Sequence, residues 1–239
     1  MVLERLKSAD PEAELKEIIA SLETRAGARP ERLFQRQYRR PIFLAVALAV
    51  FNQTVGINAV LYYLNDIFAM AGFDRSAQNL QAVAVGGINL VGTLIALTLI
   101  DKVGRRRLLL VGSVGLAVCL TGIATVFATQ SHQGWLLSLV VGYVGFFAFS
   151  QGAVIWVYLS EIFPNRVRAQ GQGLGSSTHW VMNALVSGVF PVIAARSQAG
   201  PFVFFLGMVV LQFIAVWFWF PETRGVSLER MQDTVNVGH

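Results

Sequence analysis

Charge is what this sequence lacks. Only 14% of its 239 residues are charged against 54% hydrophobic, and 16 of the 33 charged residues crowd into the first 40 positions, leaving 17 for the other 199. A soluble enzyme with an oversized core would spread its charge over its surface, so this distribution excludes one. Cysteine is nearly absent as well. A single Cys119 supports neither an internal disulfide nor a thiolate metal site, and its place in an apolar run makes it a packing residue. No Ser-His-Asp set, metal-ligand cluster or nucleotide loop is present, and His179 has no acidic neighbour within one helical turn. Those gaps argue against an enzyme and against any cofactor.

What fills the space is apolar sequence, with a mean hydropathy of +0.56. A helix crosses hydrocarbon with roughly 20 apolar residues, and six stretches qualify, at about 41–72, 78–100, 108–129, 134–160, 170–195 and 200–221. The first is long enough to be kinked or tilted. The net charge of +5 does not mark a nucleic-acid partner, because 17 of the 19 basic residues fall before the first stretch or after the even-numbered ones, leaving only Arg75 and Arg196 opposite. The positive-inside rule therefore predicts both termini in the cytoplasm. The first apolar stretch begins near Pro41, behind a charged arm, so it is expected to act as its own insertion signal rather than as a cleaved leader.

Three regions follow. Residues 1–40 are expected to hold a cytoplasmic amphipathic helix over 10–24, with Asp10 as cap, Pro11 at its first position and Leu15, Ile18, Ile19 and Leu22 at helical spacing, then a basic linker. Residues 41–221 form the six-helix transmembrane bundle, and 222–239 a cytoplasmic tail. Charged cytoplasmic turns join helices two and three and again helices four and five, which suggests two inverted three-helix repeats.

Polar residues stand out against this background. Asn52, Gln53 and Asn58 lie in one apolar span, and an unpaired amide in hydrocarbon costs several kcal/mol, so each must face protein, water or a ligand. On a straight helix Gln53 and Asn58 would point about 140° apart; a break near Gly56 would turn both to one cavity. Asn89, beside Gly86, Gly87 and Gly92, repeats the theme in the second helix. In the fifth, Ser176, His179, Trp180, Asn183 and Ser187 form one stripe, and Trp156 adds an indole in the fourth. Two readings stay open: the amides tie helices together, or they pair with the hydroxyls of a neutral polyhydroxylated ligand whose C–H face lies on the indoles. Trp156 and Trp180 could equally be interfacial anchors, the reading favoured for Trp217 and Trp219. At the cytoplasmic ends Asp101, Arg105, Arg106, Glu161 and Arg168 are either topology signals or a latch between helix ends, as a gate requires.

The runs "NQTVGINAVLYY" at 52–63, "DKVGRRRL" at 101–108, "EIFPNRVRAQG" at 161–171 and "PETRG" at 221–225 resemble, in order and spacing, the C-terminal half of the sugar porter family of the major facilitator superfamily. That family comprises facilitative glucose transporters and bacterial proton-linked sugar symporters. The resemblance implies an all-α six-helix bundle, one half of a major facilitator fold, that binds a monosaccharide. It implies sugar contacts from Asn52, Gln53, Asn58, Asn89, Trp156, Trp180 and Asn183, a further contact from His179, an outer gate at Tyr62 and Tyr63, and a cytoplasmic charge network of Asp101, Arg105, Arg106, Glu161 and Arg168. Asn52 stands where a first Gln is usual and His179 where an amide is common. A family transporter has about twelve helices, so the expected partners are the bilayer, a monosaccharide and a second six-helix bundle, either another copy or a separate N-terminal half. The expected location is the plasma membrane, or the inner membrane of a bacterium. The alternative function is a sugar-binding membrane module, or inactive half, that does not transport.

Overall fold

The computed structural model describes residues 31–225; the helix expected over 10–24 and the chain beyond 225 lie outside them. The chain divides into two units, Met1–Leu33 and Phe34–His239, and the helices below all belong to the second. The described residues contain no strand and six helical stretches long and apolar enough to cross a membrane: Arg36–Tyr62, Gln81–Val103, Arg105–Thr129, Gln133–Glu161, Arg168–Arg196 and Gly200–Trp219. With no water in the hydrocarbon to satisfy backbone groups, unbroken helix is the expected state, and departures from it call for a local cause.

There are two such departures. The first span is split into α1 (Arg39–Thr54) and α2 (Ile57–Tyr62), and a further short helix, α3 (Leu64–Met70), continues it. The split falls at Gly56, whose φ of 93° lies in the left-handed region. The ring of Phe205 occupies the space a Cβ there would need, so no other residue fits without displacement. The fourth span is interrupted at Ala148–Gly152, where one π-helical turn separates α6 (Leu136–Phe147) from α7 (Ala153–Glu161). The remaining spans are α4 (Arg75–Val103), α5 (Arg105–Thr129), α8 (Arg168–Arg196) and α9 (Gly200–Trp219).

The packing has internal symmetry. The third span packs on the fourth and the sixth, the first on the fifth, and the second on the fourth, with a smaller contact between the sixth and the first. Exchanging first with fourth, second with fifth and third with sixth turns the first–fifth contact into the fourth–second contact and returns the third–sixth contact to itself. The two interrupted spans also exchange. This is the pattern of two inverted three-helix repeats. Gly112 and Gly115 let the third span approach the fourth, with Ser150 and Phe146 lying where their Cβ atoms would be. A core of Phe68, Leu116, Leu120, Ile123, Tyr143, Phe202 and Val209 fills the bundle. Burial is uneven: the apolar windows of the second and fifth spans are 22% and 17% buried, against 67% in the first and 56% in the third.

Candidate functional site

Breaking a helix frees backbone groups that then need partners. At the Gly56 break the Val55 carbonyl accepts the hydroxyl of Tyr143, a fully buried residue of the fourth span, at 2.8 Å. At the π-turn the Gln151 carbonyl accepts the Asn52 Nδ2 group at 3.2 Å. Each interruption is thereby fastened to the other span. Sequence reading did not single out Tyr143; its signal is a tyrosine hydroxyl in a mostly apolar run.

From Asn52 a relay of amides runs through the membrane. Gln53 Nε2 donates to Asn52 Oδ1 at 3.1 Å and lies 3.2 and 3.0 Å from Nδ1 and Nε2 of His179. Asn58 Nδ2 donates to Gln53 Oε1 at 2.9 Å. The break at Gly56 makes this last contact possible by turning Asn58 back toward Gln53, as expected. Asn52 and Gln53 are 2% and 1% exposed, whereas Asn58 is half-buried and keeps its carbonyl oxygen without a partner among the described residues. Asn52 is thus a strut of the site and Asn58 its more open member.

The fifth span supplies the facing wall. His179 and Asn183 are buried, one turn apart. The imidazole lies 5.1 Å from the Trp156 ring and 5.2 Å from the Trp180 ring, so both indoles border His179. Both tryptophans are exposed. Asn183 Nδ2 donates to the Tyr62 hydroxyl at 3.2 Å and its Oδ1 accepts Ser187 at 3.2 Å. Tyr63 stacks on Phe190 at 5.1 Å, closing the space between first and fifth spans. Asn89 stays apart: it is exposed on the second span and its side chain has no polar partner among the described residues.

At the other end of the bundle Arg105 is the hub. Its Nη2 and Nε donate to Glu161 at 2.7 and 3.1 Å, Nη2 also meets Asp101 at 2.9 Å, and Nη1 donates to the Ile100 carbonyl. Thr223 Oγ1 donates to Glu161 at 2.6 Å. Glu222 accepts the backbone N–H groups of Arg105, Arg106, Thr223 and Arg224, and so caps the start of α5 from across the bundle. Gly104, with φ 98°, makes room for that carboxylate. Two of the five expected charges pair differently. Arg106 donates to the carbonyls of Val216 and Trp217 and lies over the Trp217 ring, and Arg168 donates to the Phe163 carbonyl. Neither meets a carboxylate among the described residues: Arg106 reaches across to the C-terminal carbonyls of α9, and Arg168 to the Phe163 carbonyl ahead of α8. Thr223 at Glu161 and Glu222 at the start of α5 are contacts that sequence reading does not single out.

Comparison with known proteins agrees with this architecture. The family profile described as "Sugar (and other) transporter" matches residues 1–234. The arabinose-proton symporter of Bacillus subtilis (strain 168) is 35% identical over 221 residues, 92% of this chain and 48% of that protein. The D-xylose-proton symporter of Escherichia coli (strain K12) is 37% identical over 198 residues, 80% of this chain and 40% of that protein. Among solved structures, the major facilitator proton:xylose symporter XylE bound to 6-bromo-6-deoxy-D-glucose superimposes with a TM-score of 0.75 at 36% identity, over 81% of this chain and 42% of that one. The chain spans about half the length of the curated relatives it matches.

Proposed function

Because the chain belongs to the sugar porter family of the major facilitator superfamily, we propose that it forms the sugar-holding half of a carrier for a neutral monosaccharide, hexose or pentose, working by alternating access against a second six-helix bundle. The observation that carries this reading is the amide relay at the Gly56 break with Trp156 and Trp180 beside His179. Amides with donors and acceptors to spare match sugar hydroxyls, and indole faces match the C–H face of a pyranose or furanose ring. Asn58, Trp156, Trp180 and Asn183 present polar or aromatic surface to the ligand. Asn52 and Gln53 set the geometry behind them, His179 contributes its ring, and Asn89 joins from the second span when the cavity closes.

Tyr62 and Tyr63 form the outer gate, linked to the site through Asn183 and Phe190. The cluster of Asp101, Arg105 and Glu161, with Arg106 and Arg168 beside it, forms the cytoplasmic gate; such a latch holds helix ends together in one state and releases in the other. The second bundle, another copy or a separate N-terminal half, covers the exposed faces of the second and fifth spans. Both termini lie in the cytoplasm, on the charge distribution of the loops.

Equilibrium binding of radiolabelled D-xylose and D-glucose to the purified chain in nanodiscs, followed by counterflow in liposomes, tests this. Binding that Asn58→Ala and Trp156→Ala each weaken at least tenfold is expected. Affinity unchanged by both would refute the site, and binding without counterflow would make the chain a sugar-binding module that needs a partner to transport.

A further inference from the structure

The hydrogen bonds around Gln53 all run in one direction, and the direction is forced. A backbone carbonyl can only accept, so the Gln151 carbonyl fixes Asn52 with Nδ2 toward it and Oδ1 toward Gln53. Gln53 must then turn its Nε2 to Asn52 and its Oε1 to Asn58, which donates. One hydrogen of Gln53 Nε2 goes to Asn52, and the other points at His179. There the amide nitrogen sits astride the ring edge, 3.2 Å from Nδ1 and 3.0 Å from Nε2. Either neutral tautomer leaves a lone pair on one of these nitrogens, whereas the imidazolium leaves none.

We propose that His179 is a positioning residue whose ring must accept from Gln53, so that a proton on the ring reverses the amide relay and loosens the sugar site. With two donors facing each other, Gln53 can keep His179 only by turning its Oε1 to the ring. That turn brings its NH2 against Asn58 Nδ2 and its oxygen away from the donor it served. Asn58, the open member of the site, then keeps Gln53 only by rotating to present its Oδ1, which turns its NH2 to the ligand side, so a charge change on the fifth span reaches the ligand-facing amide of the first. The groups packed on the ring are Gln53 from the first span, Trp156 from the fourth and the adjacent Trp180. No carboxylate, Lys or Arg pairs with it among the described residues; the titratable group on the same polar stripe is Tyr62, joined through Asn183. Among the described residues nothing else around the ring compensates an added charge, and imidazole is the side chain that ordinarily titrates between about pH 5 and 8.

This inference rests on the sugar-site reading only for its effect on binding; the relay itself is testable without sugar. The whole chain, in nanodiscs and labelled with 15N at histidine, asparagine and glutamine side chains, is followed by NMR from about pH 8 to pH 5, with resonances assigned by substitution. The expected result is that the Gln53 and Asn58 amide signals move with the His179 ring titration and with no other. In His179→Gln, which keeps an acceptor but does not titrate, both signals stay still across the range. Parallel D-xylose binding weakens about fivefold or more through the same titration in the wild type, the effect of one hydrogen bond between neutral groups, and shows a flat pH profile in His179→Gln. Amide signals that stay fixed while His179 titrates would overturn the proposal. If those signals move but D-xylose binds at no pH, the relay stands and the sugar reading falls.

Discussion

Replacing Glu161 by Gln separates a buried charge pair from an exposed one that shares the same arginine. The Arg105 side chain is 8% exposed, Glu161 22% and Asp101 78%. Glu161 makes two charge-assisted bonds to the guanidinium and accepts a third from Thr223, whereas Asp101 makes one. Removing one partner of a buried ion pair costs about 3–5 kcal/mol because the other charge stays behind unpaired. Glu161 keeps some water and Arg105 keeps Asp101 and the Ile100 carbonyl, so about 2–3 kcal/mol is the expected loss for Glu161→Gln. For Asp101→Asn the exposed-pair range of about 0–1 kcal/mol applies. Reversible unfolding in mixed micelles, arranged as double-mutant cycles with Arg105→Gln, reads both couplings. An Arg105–Glu161 coupling of about 2 kcal/mol against less than about 0.5 kcal/mol for Arg105–Asp101 is expected. Equal couplings would refute the argument that burial, not mere proximity, decides which carboxylate holds the helix ends together.

Other perturbations test other joints of the fold. Tyr143→Phe leaves the buried Val55 carbonyl without a donor and is expected to lower stability by about 1–3 kcal/mol, measured by the same unfolding assay. Gly56→Ala meets both a left-handed backbone and the Phe205 ring, and its expected cost is about 2 kcal/mol or more; adding Phe205→Ala recovers the steric part only, so full recovery would show that the backbone conformation carries no penalty. Arg106→Lys trades a forked donor for a point charge opposite the Val216 and Trp217 carbonyls, with an expected loss of about 0.5–1.5 kcal/mol and no change in the Arg105–Glu161 coupling.

The spans were legible because a bilayer leaves little choice: long apolar runs separated by charges have to be helices, and five of the six spans fall within a few residues of those read from hydropathy, while the first, read as 41–72, runs from Arg36 to Tyr62. The break in the first span was legible from an energetic conflict. Three amides and a glycine in hydrocarbon need partners, a break near Gly56 is one way to give Gln53 and Asn58 a shared one, and the helix does break there. The π-turn at Ala148–Gly152 was not legible, since no proline or paired glycines mark it, and with it Tyr143 went unnoticed. Partner choice at the cytoplasmic end was also beyond the sequence. Charge sign and membrane level group Arg105, Arg106 and Arg168 together, but which of them meets a carboxylate depends on the directions of the helix ends. By sequence Glu222 is the start of a tail, whereas in the fold it accepts the first N–H groups of α5.

The two interruptions are fastened by bonds in which one partner is always main chain: Tyr143 to the Val55 carbonyl, Asn52 to the Gln151 carbonyl. Such joints are encoded on one side only. Positions 55 and 151 are free to change side chain without cutting the bond, while 52 and 143 are not, so the joint leaves no compensating pair of substitutions for comparative sequence statistics to detect. A redesign that altered the ligand-facing residues of this bundle could therefore alter positions 55 and 151 at little risk to these bonds, and would undo the crossing by a single change at either of the other two.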